Sequence, residues 1–271
     1  MSTDDDLLSR LEFAPEYEIL GVVDPGGVGR VGQGVPFGDF KWTVSVPLAA
    51  WKPIGSQLRT SGLNVRKNVQ EAEISSCLGN VEPYDVIRLR VRIAIEPRDD
   101  VTEALLIELI GKDSSDPELR SHAIKLQEEV SFVDPLLGKF VLNRGLNWFE
   151  STVDWCGSPI SLTINAEIPI EVEKSLVGAK ELWDSQEEWH QRVLTCASKH
   201  LLSLKNEGWL QMGEPDLTEG EFLKMLTLES ISIEPDGLFE FWFDDGEIFF
   251  GHSIMVSGTL AEGPKDAGIH G

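Results

Sequence analysis

A chain of 271 residues with 41% hydrophobic and 25% charged side chains carries enough apolar material for a packed core, and its length suits two domains as well as one large one. Its formal charge of −23 is uneven: residues 1–130 hold 22 acidic against 14 basic side chains, and residues 131–271 hold 24 against 9. A field of that sign repels phosphate backbones and anionic lipid headgroups, so nucleic acid and membrane surfaces are excluded as partners and a basic protein is favoured.

Residues 17–23 read as the first strand after a frayed start, followed by a glycine-rich loop over 25–38. Phe40, Trp42 and Val44 alternate, which predicts a strand over 40–46. The clearest strand of this half is 85–95: Ile87, Leu89, Val91 and Ile93 face one way, Arg88, Arg90 and Arg92 face the other, and Pro97 ends the run. Residues 104–110 suit a further strand, with a helix as the alternative. Asp116 then caps a helix reaching about 129, because its carboxylate can accept from the unpaired N–H groups of the first turn and Pro117 suits the first helical position. The Asp134-Pro135 turn marks a boundary between two expected domains, 1–130 and 131–271.

Short strands follow at 139–142, 148–155 and 160–164. Apolar residues at 172, 176, 179, 183, 189, 193, 197, 201 and 204 mark one face of a helical span, which the capping-box pair Ser185 and Glu188 divides in two. Thr218 with Glu221 repeats the pair before a short helix over 222–226. Strands at 228–233 and 253–260 surround an aromatic hairpin, and the residues from 261 on read as loose. Strand runs joined by tight turns and set apart from a helical block predict an α+β fold. Its sheets are mostly antiparallel, its N-terminal half strand-rich, and its C-terminal half holds a long helical span.

The densest chemistry lies in the hairpin. Aromatic residues flank Asp245-Gly246, a pair that accepts positive backbone dihedrals, so the turn presents Asp244, Asp245 and Glu247 with His252 on the return strand. An imidazole with carboxylates suits a divalent ion. No second histidine stands near, however, and His190 and His200 lie ten residues apart on a helix, too far to chelate as an i, i+4 pair would. The plainer reading gives the aspartates to the turn and His252 to a hydrogen bond within the strand layer, so neither metal nor cofactor is expected. Trp148 and Trp155 stand at odd separation on one strand, hence on opposite faces, and join Asp244, Asp245, Glu247 and His252 as candidate binding residues.

Other motifs read as structure. Gly27-Val28-Gly29-Arg30-Val31-Gly32 spells G-x-G-x-x-G, but Gly34, Pro36 and Gly38 follow where a pyrophosphate-binding helix should open, which leaves a flexible loop. The arginine stripe can grip an anion, although arginines on a solvated face need no ligand. Cys77, Cys156 and Cys196 are odd in number and widely spaced, so reduced thiols are expected rather than disulfides or a zinc site. Cys196 falls on the apolar side of its helix, where burial makes a thiol inert. The acidic start and the absence of a membrane-length apolar run predict a cytoplasmic protein.

Leu137-Gly138-Lys139-Phe140, Asn147-Trp148-Phe149-Glu150, Val153-Asp154-Trp155 with Gly157, Leu217-Thr218-Glu219-Gly220-Glu221-Phe222, Phe243-Asp244-Asp245-Gly246 and Gly251-His252-Ser253-Ile254 resemble the prokaryotic family called domain of unknown function 2262, over about residues 131–260. The resemblance implies a bacterial protein with no assigned activity or catalytic residue. Two functions compete. One is a non-catalytic protein-interaction module, similar to acidic immunity proteins, that binds a basic partner through charge and exposed aromatics. The alternative is a metal-dependent hydrolase in which Asp244, Asp245, Glu247 and His252 hold an ion and activate water.

Overall fold

Alternating apolar residues build two separate β systems. The computed structural model describes residues 8–33, 41–93, 102–165 and 169–271. The chain divides into two compact units between Glu128 and Glu129. The fold is α+β with mostly antiparallel sheets, strand-rich in its N-terminal half and carrying a long helix in its C-terminal half.

The first unit contains β1 (Glu16–Val23), β2 (Gly29–Gln33), β3 (Lys41–Pro53), β4 (Leu63–Val69), β5 (Val86–Ile93) and β6 (Thr102–Lys112), with α1 (Ile74–Leu78) and α2 (Pro117–Gln127). β1 pairs with β3 and β5, β3 with β4, β4 runs parallel to β6, and β6 pairs with β5, so five strands close on themselves. With α1 between the third and fourth strands of the ring, this is the connectivity of an OB-type barrel. Ile87, Leu89, Val91 and Ile93 point into it against Ile19, Val46, Leu48, Val65 and Leu106.

The arginines of β5 point outward and are paired. Arg88 meets Glu18 and, at 3.7 Å, Asp113; Arg90 meets Glu108 at 2.8 Å; Arg92 meets Glu16 at 3.9 Å. β2 corrects the expected glycine loop: Gly29–Gln33 lies along β3, and the Arg30 guanidinium stands 5.0 Å from the centre of the Trp42 ring. Phe40, Pro97 and the loop glycines from 34 on lie outside the described residues, as does the end of the 85–95 strand. Asp116 caps α2, accepting from the N–H groups of Glu118 and Leu119 at 3.0 Å, and it also pairs with the buried Lys52 at 2.6 Å.

The second unit is one sheet of eight strands in chain order: β7 (Ser131–Asp134), β8 (Gly138–Asn143), β9 (Trp148–Trp155), β10 (Ser158–Ile164), β11 (Thr227–Ile233), β12 (Leu238–Asp244), β13 (Ser253–Thr259) and β14 (Gly263–His270). Only β10 and β11 run parallel, and three helices connect them: α3 (Pro169–Asp184), α4 (Gln186–Gly208) and α5 (Glu219–Met225). α3 lies on β10 and β11, and α4 lies on β13 and β14. Beneath them Trp155, Leu162, Ile231, Phe239, Phe241, Phe243 and Val256 form the core. Burying each large side chain of this kind stabilises the fold by roughly 1.5–3 kcal/mol.

The helical span does break at Ser185, but without a side-chain cap, whereas the Thr218 and Glu221 box is fully formed. The residues expected to be loose after 261 are instead the edge strand β14, whose Ala267 faces the core. Among the described residues no helix is long and apolar enough to cross a membrane.

Candidate functional site

The face of this sheet that points away from the helices is polar. Register places Glu150, Thr163, Ser232, Glu240 and Ser257 in one row across β9 to β13, and Thr152, Ser161, Ser230, Trp242 and Met255 in the next. A trough of about 400 Å³ runs over it, lined by Trp148, Glu150, Ser161, Thr163, Ser230, Ser232, Glu240 and Trp242. A second hollow of about 580 Å³ adjoins it through the shared Ser232 and Glu240 and adds Glu234 and Asp236. Ser161 donates to Glu150 at 2.8 Å and the Trp242 indole N–H donates to Glu240 at 3.0 Å, so each carboxylate is held by one oxygen. The Trp148 indole nitrogen is buried without a partner.

Trp148 and Trp155 part company across β9. Trp148 is half-buried on the open face; Trp155 is only 2% exposed, stacks edge-on against Trp183 and Phe241, and gives its indole N–H to His190 at 3.4 Å. Burial holds His190 below the usual imidazole range.

The aromatic hairpin is looser than a two-residue turn. β12 ends at Asp244, β13 begins at Ser253, and the residues between form a compact loop with Ile248 and Phe249 buried beneath it. His252 therefore sits at the end of the loop, before the return strand. Asp245 is 1% exposed, and its two oxygens accept the N–H groups of Glu247 at 2.9 Å and Phe249 at 2.6 Å. Asp244 accepts from Gly246 at 3.0 Å, and His252 donates its Nδ1 proton to the Phe249 carbonyl at 2.6 Å, with its ring edge-on to Trp209. Glu247 is exposed. Among the described residues no group of three or more His, Cys, Asp or Glu is placed to hold a metal ion.

A further pocket of about 470 Å³ flanks α4, where the Cys196 thiol lies 3.6 Å from His200 Nδ1. Burial, then the Asp266 carboxylate, pushes that thiol up, so it is a poor nucleophile despite the neighbouring ring. Sequence reading passed over Glu150, Glu240 and the hydroxyl row. Their signal was the W-x-E of β9 and the E-x-W of β12, each of which sets an indole and a carboxylate on one face.

The two units thus define a protein that joins an OB-type barrel to a helix-backed sheet, with an aromatic and acidic trough on the sheet. Residues 134–269 match the family described as an uncharacterized protein conserved in bacteria (DUF2262), and the chain belongs to that family. Residues 6–126 are similar to a domain of unknown function (DUF7021). No curated protein matches. A solved structure similar to part of the chain is that of a small single-stranded DNA-binding protein from Streptomyces coelicolor, with 17% identity over 38% of this chain and 95% of that one and a TM-score of 0.20.

The exclusion of nucleic acid drawn from net charge does not stand. The physical reason is that a charge summed over a whole chain does not fix the charge of any one face. At that TM-score the likeness carries no argument about what the present chain binds.

Proposed function

We propose that the protein is a non-catalytic interaction module, comparable to immunity proteins in its acidity, that binds a basic protein partner. The observation that carries this reading is the open trough, whose ionisable lining residues are Glu150 and Glu240 and whose walls are Trp148 and Trp242. Carboxylates speed the approach of a cationic surface, and indoles anchor it. The commitment of Asp245 and His252 to backbone groups of their own loop supports an interaction module over the hydrolase alternative.

Calorimetric titration of the full chain with an arginine–glycine peptide, over a series of salt concentrations, tests the reading. It predicts binding that weakens as salt screens the attraction. A silent peptide with binding of a single-stranded oligothymidylate of matching length would overturn it. So would metal-dependent ester hydrolysis that His252→Ala abolishes.

A further inference from the structure

We propose that the trough over β9 to β12 seats an extended peptide segment carrying two cationic side chains, arginine in preference to lysine, four residues apart. The proposal rests on the basic-partner reading and gives that partner a place and a pattern. Charge is the first ground: Glu150 and Glu240 line the trough, Glu234 and Asp236 line its extension, and among the described residues no lysine, arginine or histidine lines either, although the His270 ring stands 5.2 Å from that of Trp242.

The aromatic groups are the second ground. Each trough glutamate stands two residues from a tryptophan on its own strand and so on the same face, Trp148 with Glu150 and Glu240 with Trp242. A cation over either indole meets the negative face of the ring and the adjacent carboxylate together. Ser161 and the Trp242 N–H hold one oxygen of each carboxylate, which leaves the other for the ligand. A guanidinium is planar, stacks on indole and donates in a fork, so it suits both seats better than an ammonium.

Register sets the spacing. Glu150, Thr163, Ser232 and Glu240 lie in one row. Three strand intervals separate the two carboxylate positions, about 14 Å. An extended segment rises about 3.3 Å per residue, and residues on one of its sides are an even number apart. The i, i+4 spacing, about 13 Å, therefore bridges the seats, and i, i+2, about 7 Å, falls short.

An unpaired polar group favours a peptide over a polyamine. Trp148 Nε1 is buried with no partner. An indole N–H needs an acceptor, which peptide carbonyls supply and a polyamine lacks.

Fluorescence-anisotropy titration of the full chain tests this with two Gly/Ser peptides, one with arginines at i and i+4, the other at i and i+2. Glu150→Gln with Glu240→Gln is compared with Glu187→Gln plus Glu262→Gln, an equal charge change elsewhere. The i, i+4 peptide should bind about tenfold more tightly, the trough variant should lose about tenfold, and the control less than about twofold. Both pairs keep side-chain shape, and circular dichroism melts verify folding. Equal binding by trough variant and control, with salt dependence retained, would move the partner off the trough and leave the interaction-module reading standing. No binding of either peptide would remove both. Equal affinity for the two spacings would overturn the two-seat pattern. Self-association in sedimentation that the trough variant abolishes would give the face to a second copy of the chain instead.

Discussion

Asp245 shows how a residue that reads as chemistry can be structure. An acidic pair beside a histidine suggests a ligand set, yet a carboxylate 1% exposed with both oxygens accepting backbone N–H groups holds a loop together. Asp245→Ala would leave two N–H groups without an acceptor beneath the loop and should cost about 2–3 kcal/mol in urea unfolding, whereas the exposed Asp244→Ala should cost less than about 1 kcal/mol. Equal small losses would mean that the loop is held otherwise.

His190 makes a second prediction at this scale. Burial lowers its pKa below the 6.5 of a free imidazole, and its Nδ1 accepts the Trp155 proton, so the native state favours the neutral ring. Above pH 6.5 both folded and unfolded rings are neutral and His190 contributes no pH dependence. Below it the unfolded chain takes up the proton first, so stability should fall with pH until the folded ring protonates as well. His122 in the first unit is shifted the same way by burial and adds to the slope. Thermal melts of wild type and His190→Gln between neutral and mildly acidic pH isolate the His190 share. Parallel curves for the two proteins would contradict it.

At the scale of elements, strict alternation made strands legible. Residues 86–93, 148–155 and 238–244 alternate cleanly, and each is a strand with its apolar side in a core. The helix starts at Asp116 and Thr218 were equally readable, because their caps are local hydrogen bonds. β14 was not readable, since Gly263, Pro264 and Gly268 look like a tail, and only pairing with β13 makes them a strand. The hairpin was read too tight because Ile248 and Phe249 leave the strand pattern to fill the core beneath the loop. If β14 closes that core, Ala267→Asp should destabilise the protein by about 1–3 kcal/mol, since it drives an unpaired carboxylate into apolar surroundings. An unchanged denaturation midpoint would show that the edge strand is dispensable.

The candidate site was legible only in part, for a related reason. The opposite facing of Trp148 and Trp155 follows from parity along one strand. The row from Glu150 to Glu240 does not, because it depends on the parallel pairing of β10 with β11, which are separated in sequence by three helices. Local pattern places a side chain on a face; long-range register decides which side chains share it.

At the scale of the whole molecule, the −23 charge is a long-range attraction for cations that salt weakens, and it does not choose a face. The trough supplies the choice, by setting indoles beside carboxylates on the side of the sheet that the helices leave open. An acidic protein without such a trough would hold a basic partner diffusely. Zero-length carbodiimide coupling of a lysine-for-arginine version of the i, i+4 peptide to the full chain, followed by peptide mapping, discriminates the two most directly. Amide links concentrated at Glu150 and Glu240 are the predicted result. Links scattered over exposed carboxylates such as Glu187, Glu188 and Glu262, or gathered on the first unit, would contradict it.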